Sequence, residues 1–125
     1  MNKLTFPEFL VLPTIEESAD ISFKYHIDWY DGPLEGLLTY LSDFYWFFLV
    51  YEDWEPRHND FEFGKRHRWF VLFEPTKEQL DFHNYWHEKF EYHEKTGTLD
   101  TFYNEYRLVK GPPFTYSQAK YFMIE

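Results

Sequence analysis

The sequence predicts an α+β fold, an antiparallel sheet of about four strands with a long helix packed on one face. Three observations lead there. Residues 21–30, ISFKYHIDWY, alternate apolar and polar, the period-two pattern of a strand with one wet face. Residues 44–52, FYWFFLVYE, are apolar on both sides, which suits a central strand covered on both faces. After Pro75 the period changes, and Phe82, Trp86 and Phe90 recur at helical spacing. Strands followed by helices give α+β, and 125 residues fit a single domain over 1–125.

No element is assigned to residues 1–20. Its opening, MNKLTFPEFLVLPTIEE, has one Lys and a short apolar patch broken by Pro7 and Glu8, a poor match to a signal peptide. The first strand, 21–30, puts Ile21, Phe23, Tyr25, Ile27 and Trp29 on one side and Ser22, Lys24, His26 and Asp28 on the other. Asp31-Gly32-Pro33 breaks it, because Gly tolerates unusual dihedrals and Pro removes a donor. A second strand follows at 35–41, a tight turn at Ser42-Asp43, and the third strand at 44–52. Together 21–52 read as a three-strand meander.

Residues 53–66 read as a loop and 68–74, RWFVLFE, as the fourth strand. Thr76 followed three residues later by Gln79 is a capping-box pattern. With Lys95 in the last turn and Gly97 at the stop, it sets a helix over 77–96. Leu99, Phe102, Tyr103 and Tyr106 set a shorter helix over 99–109, ended by Gly111-Pro112-Pro113. For residues 114–125 strand and helix both stay open.

The stretch DWYDGPLEG, Asp28 to Gly36, resembles a hairpin of small uncharacterised bacterial proteins that carry D-Y-Y-D-G-P-L-S-G between two strands. The resemblance covers about 21–52, with a fainter echo in NYWHEKF. The chain departs from it at Trp29, where Tyr is expected, and at Glu35, where Ser is expected. What it implies is a fold, since no function of that group is known.

Composition narrows the function. The formal net charge of −10 and a pI of about 5.0 make a field that repels phosphate and anionic lipid. Nucleic acid and membrane are therefore unlikely partners, while a basic protein is attracted. Absence of Cys excludes disulfides, thiolate catalysis and Cys-based zinc sites. The run Phe44 to Tyr51 is too short to span a bilayer, so cytoplasmic residence is the default. The chain is 25% aromatic, with 15 Phe, 11 Tyr and 5 Trp. Such side chains, polar-tipped in Tyr and Trp, suit interfaces.

Four constellations follow. Tyr51, Glu52, Asp53, Trp54 and Glu55 offer an aromatic anchor among carboxylates that could steer a basic partner. Asp28, Asp31 and Glu35 crowd the turn; if they converge, each raises the others' pKa, giving an acid–base pair or a cation site. In the helix, His83 and His87 at i, i+4 with Glu94 could grip a divalent metal. Asn84 stands where a zinc protease needs its Glu. In the basic island GKRHRW, 64–69, Lys65 and Arg66 are expected to pair with the 51–55 carboxylates, the alternative being a phosphate or an acidic partner with Trp69 stacking. The expectation from sequence is a non-catalytic, acidic, aromatic-rich protein-binding module of inhibitor or immunity type, without cofactor, whose partner is a basic protein or a second copy. The alternative is a small metal-dependent or acid–base enzyme using His83/His87/Glu94 or Asp28/Asp31/Glu35.

Overall fold

The computed structural model of the chain describes residues 12–16, 18, 20–29, 32–54 and 66–124, and for 53, 54 and 66 the backbone alone. The fold is α+β and divides into two compact units, Met1–Glu74 with Thr115–Glu125, and Pro75–Phe114.

The first unit is a six-stranded mixed sheet. Its strands are β1 (Thr14–Glu16), β2 (Ile21–Trp29), β3 (Pro33–Tyr40), β4 (Asp43–Trp54), β5 (Arg66–Phe73) and β6 (Ala119–Ile124), in the order β1-β6-β5-β4-β3-β2. The meander β2–β5 is antiparallel, as its alternating and doubly apolar runs predict. The expected four-strand antiparallel sheet is only part of it, the four strands from the β2 edge to β5. The undecided tail supplies β6, antiparallel to β5, and the unassigned 14–16 supplies β1, parallel to β6. A three-residue strand is too short to show a period, which is why β1 left no sequence signal.

Two boundaries move for a physical reason. The expected loop at 53–66 loses both its ends to strands, since β4 runs on to Trp54 and β5 starts at Arg66, while 55–65 lie outside the described residues. Charged residues hide this extension, yet Glu52 pairs with Arg68 across the ladder, Asp53 with His67 and Trp54 with Arg66. The β3–β4 turn is centred on Leu41 and Ser42, with φ of 51° and 72°, not on Ser42-Asp43. Asp43 already pairs with Tyr40. Both central residues at positive φ make the turn that suits a twisted two-residue hairpin, here without the usual Asn-Gly.

Neighbouring residues of β4 point to opposite faces, and Trp46 and Phe47 are 1% and 0% exposed. Both faces are therefore shielded there. One face gathers Leu38, Tyr45, Phe47, Phe70, Leu72 and Met123 into a core. On the other lie Leu37, Trp46, Val71, Phe73 and Phe122, also buried. Each such large side chain contributes about 1.5–3 kcal/mol through burial.

The second unit holds α1 (Lys77–Thr96) and α2 (Leu99–Tyr106). The capping box of α1 forms as the sequence predicts. Thr76 Oγ1 accepts from the Gln79 N–H at 3.1 Å, and Gln79 Oε1 accepts from the Thr76 N–H at 2.8 Å. Gln79 Nε2 also donates to the Pro113 carbonyl at 2.9 Å, which ties the end of the unit to its start. Gly97, at φ 71°, closes α1 in the left-handed conformation that Gly adopts without cost. The helix α2 stops at Tyr106 rather than 109, since Arg107 and Leu108 form turn bonds back to Tyr103 and Glu105. Trp86 packs on Phe102 and Tyr106, with ring centroids 6.1 and 5.4 Å apart, and Phe90 on Phe102 at 5.5 Å. Lys89 lies 5.0 Å over the Trp86 ring and 2.8 Å from Glu105 Oε2.

Candidate functional site

Gly36 sets up the site. It pairs with His26 on one side and Phe47 on the other. A Cβ on Gly36 would collide with the Tyr25 carbonyl oxygen and sit 2.6 Å from His26 Cα. Gly therefore allows β2 to close in on β3, the close backbone approach that an in-strand Gly suggests.

The pairing around it is irregular. Phe23 faces Leu38 and Tyr25 faces Leu37, so a bulge falls at Lys24, with further shifts before Asp28 and Trp29. Leu37 and Leu38 point to opposite faces, and so therefore do Phe23 and Tyr25. The ring contacts agree, since Phe23 meets Phe47 edge-on at 5.2 Å and Tyr25 meets Trp46 at 6.3 Å. This corrects the clean alternation read from sequence, which put Phe23, Tyr25 and Trp29 on one side. One extra residue flips every side chain beyond it.

The bulged strand leaves a cleft of about 300 Å³ lined by Phe23, Lys24, Tyr25, His26, Trp29, Pro33 and Phe47. Trp29 is 58% exposed and Phe23 37%. The His26 ring lies 4.8 Å from that of Trp29, tilted by 44°. Lys24 Nζ donates to Ser22 Oγ at 3.4 Å. A volume of this size lies at the small end for ligand pockets, and the lining offers flat apolar faces with a cation at the rim.

A carboxylate pair belongs to the same hairpin. Asp28 stands opposite Glu35 in the register. Glu35 precedes Gly36 by one residue, so its side chain is on the opposite face of β3 from Gly36's position, the face of Trp46. There it accepts from Trp46 Nε1 at 2.8 Å. Burial pushes the Glu35 carboxyl above its ordinary value, the Trp46 bond pulls it back, and the Asp28 charge raises it. Of the three acids of the turn, Asp28 and Glu35 face each other in the ladder, while Asp31 lies outside the described residues.

The 51–55 stretch is partly placed. Tyr51 is 40% exposed. Glu52 Oε2 lies 3.2 Å from Nε of Arg68, which is 1% exposed and whose Nη1 donates to the Pro33 carbonyl at 3.3 Å. Glu52 thus neutralises a buried cation. The residues expected to pair with these carboxylates, Lys65 and the side chain of Arg66, lie outside the described residues; the ion pair to Glu52 is made by Arg68. Asp53 and Trp54 continue β4 rather than a loop, and Glu55 lies outside the described residues, as do Gly64 and Lys65.

The helical histidines go separate ways. His83 stacks on Phe114 at 6.1 Å, and burial pushes its pKa down to about 4. His87 Nε2 lies 2.7 Å from Glu91 Oε1. Glu94 is exposed. Among the described residues, no three His, Cys, Asp or Glu side chains are grouped to hold a metal ion. His93, which sequence reasoning passed over, is buried with Nδ1 2.6 Å from Thr98 Oγ1.

Sequence reasoning also missed the cleft. Its one legible signal was the weight of Phe23, Ile27 and Trp29 in a strand with no partner predicted on its far side. In comparisons with known proteins, no family model, no curated protein and no solved structure matches the chain. Among the described residues, no helix is long and apolar enough to cross a membrane.

Proposed function

We propose that the chain is a non-catalytic binding module that takes a basic protein partner on β2. The observation that carries this reading is the open aromatic cleft at Phe23, His26, Trp29 and Phe47, on an edge strand of a chain with net charge −10. Aromatic side chains in a concave site supply desolvated contact area, and the acidic field raises the encounter rate with a cationic partner. An inhibitor or immunity-type role fits this chemistry. The likeness of residues 28–36 to small bacterial proteins is part of the same proposal and adds no activity to it. The test is capture of partners from a native extract, with Trp29→Ala beside the parent chain. The reading requires a basic protein retained by the parent, released by high salt and lost in the variant. Sedimentation of the pure chain decides the homodimer, since a dimer of acidic chains tightens as salt screens its self-repulsion.

A second reading has its own observation. Asp28 opposite Glu35, with burial pushing the Glu35 carboxyl toward its protonated form, is a pair of carboxyls of which one favours holding a proton, a starting point for acid–base work. Loss of a measurable hydrolytic activity in Glu35→Gln, with the fold intact, would favour it over the binding module.

A further inference from the structure

Which part of a basic partner enters the cleft is decided by charge at its rim. Lys24 lines the cleft, and its ammonium lies close by, 3.4 Å from Ser22 Oγ on the same strand. That cation opposes a guanidinium or ammonium entering between the rings. Asp28 is exposed on the strand between His26 and Trp29, and the chain as a whole carries −10. No carboxylate lines the cleft, so the pull on a cation comes from Asp28 beside it and from the field of the whole chain. What suits the interior is an uncharged flat or aliphatic group, given the edge-on Phe23–Phe47 pair at 5.2 Å and the His26–Trp29 pair at 4.8 Å.

Backbone addition along β2 is the other way a peptide could dock on an edge strand. The three register shifts in β2 and the protruding Lys24 are the devices by which edges are blunted against such pairing. Side-chain insertion is thus the mode the strand leaves open.

Resting on the binding-module reading above, we propose that the cleft is the socket for one aromatic side chain of a protein segment, flanked in that segment by Lys or Arg. Trp29 and Phe23 grip the inserted ring, Lys24 excludes a charged one, and the flanking cations lie against the acidic surface.

Fluorescence anisotropy of three labelled five-residue peptides tests this, with KKWKK, KKAKK and EEWEE at low salt. The expected result is KKWKK binding roughly tenfold tighter than KKAKK, with EEWEE not binding. Trp29→Ala and Phe23→Ala should each reduce KKWKK to the level of KKAKK, their melting curves showing that both are folded. Lys24→Ala should allow an Arg-centred peptide to compete. Equal binding of KKWKK and KKAKK would overturn the socket while leaving a basic partner in place. Equal binding of KKWKK and EEWEE would keep the socket and overturn the basic partner. No binding by any of the three would overturn both. An unchanged KKWKK affinity in both Ala variants would put the ring elsewhere and overturn the socket.

Discussion

The indole N–H of Trp46 donates to the Glu35 carboxylate at 2.8 Å, across the β3–β4 ladder. A carboxyl held there prefers its proton more than it does in water. Its folded pKa is above the unfolded one, so its contribution is fully present below the unfolded pKa and is lost as pH rises through the folded value. Glu35→Gln keeps the acceptor for Trp46 and removes the charge. It should raise the melting temperature at pH 7 and leave it nearly unchanged at pH 4. Parallel melts at the two pH values check this.

His83 works in the opposite direction. Its pKa of about 4 in the fold, set by burial, lies below the ordinary 6.5. Between these values the unfolded chain takes up a proton that the folded chain refuses, so stability falls as pH drops from about 6.5 toward 4. The ring is part-exposed, and water screens the effect to about 1–2 kcal/mol. His83→Leu should remove this slope, read from denaturation midpoints at pH 7 and pH 5.

The Leu41-Ser42 turn carries two non-Gly residues at positive φ, each a strained choice. Leu41 is 59% exposed, so little packing is lost by replacing it. The double change Leu41→Asn with Ser42→Gly should stabilise the chain by about 1 kcal/mol. A chemical denaturation curve with a higher midpoint and an unchanged slope is the expected outcome.

Gly36→Val should be the most damaging single change in the hairpin. The new side chain meets backbone of β2, the Tyr25 carbonyl oxygen and His26 Cα at 2.6 Å, neither of which can swing aside. A loss of about 3 kcal/mol or more is expected, together with loss of the cleft, read as lost peptide binding in any fraction that remains folded.

Trp86→Ala removes the ring on which Phe102, Tyr106 and Lys89 all rest. Trp86 is only half-buried, so the cost should fall at the low end for a Trp truncation, about 3 kcal/mol. A thermal melt measures it.

The helix α1 was legible because its signals are local, with Thr76, Gln79 and Gly97 acting within a turn of the residues they cap. The meander was legible because the runs 21–30 and 44–52 differ in pattern, one wet on a face and one dry on both. What escaped depends on partners far away in sequence. The strand β1 has three residues and exists through β6. The ends of β4 and β5 are written in charged residues that look like loop until Glu52 meets Arg68. The cleft escaped for a related reason. The sequence of β2 alternates cleanly, and the bulge at Lys24 is imposed by the fit of β2 against Gly36 and its neighbours in β3. Of the acidic turn, Asp28 and Glu35 are close in sequence, and the ladder sets them opposite each other.

Thr14 pairs with Phe122 and Ile15 with Met123, in parallel, and the Phe122 N–H donates to the Pro13 carbonyl at 2.9 Å. These are the most distant neighbours in the sheet by sequence. The β2–β5 meander needs only short loop closures and can assemble early, whereas β6 arrives after the whole helical stretch has been passed. Closing so long a loop is slow, and the first strand has no ladder to join until it happens. The order of assembly is thus built into the topology, with β2–β5 as the template, β6 as the late addition and β1 as the latch. Hydrogen exchange during refolding would show protection in Phe47 and Phe70 before Phe122.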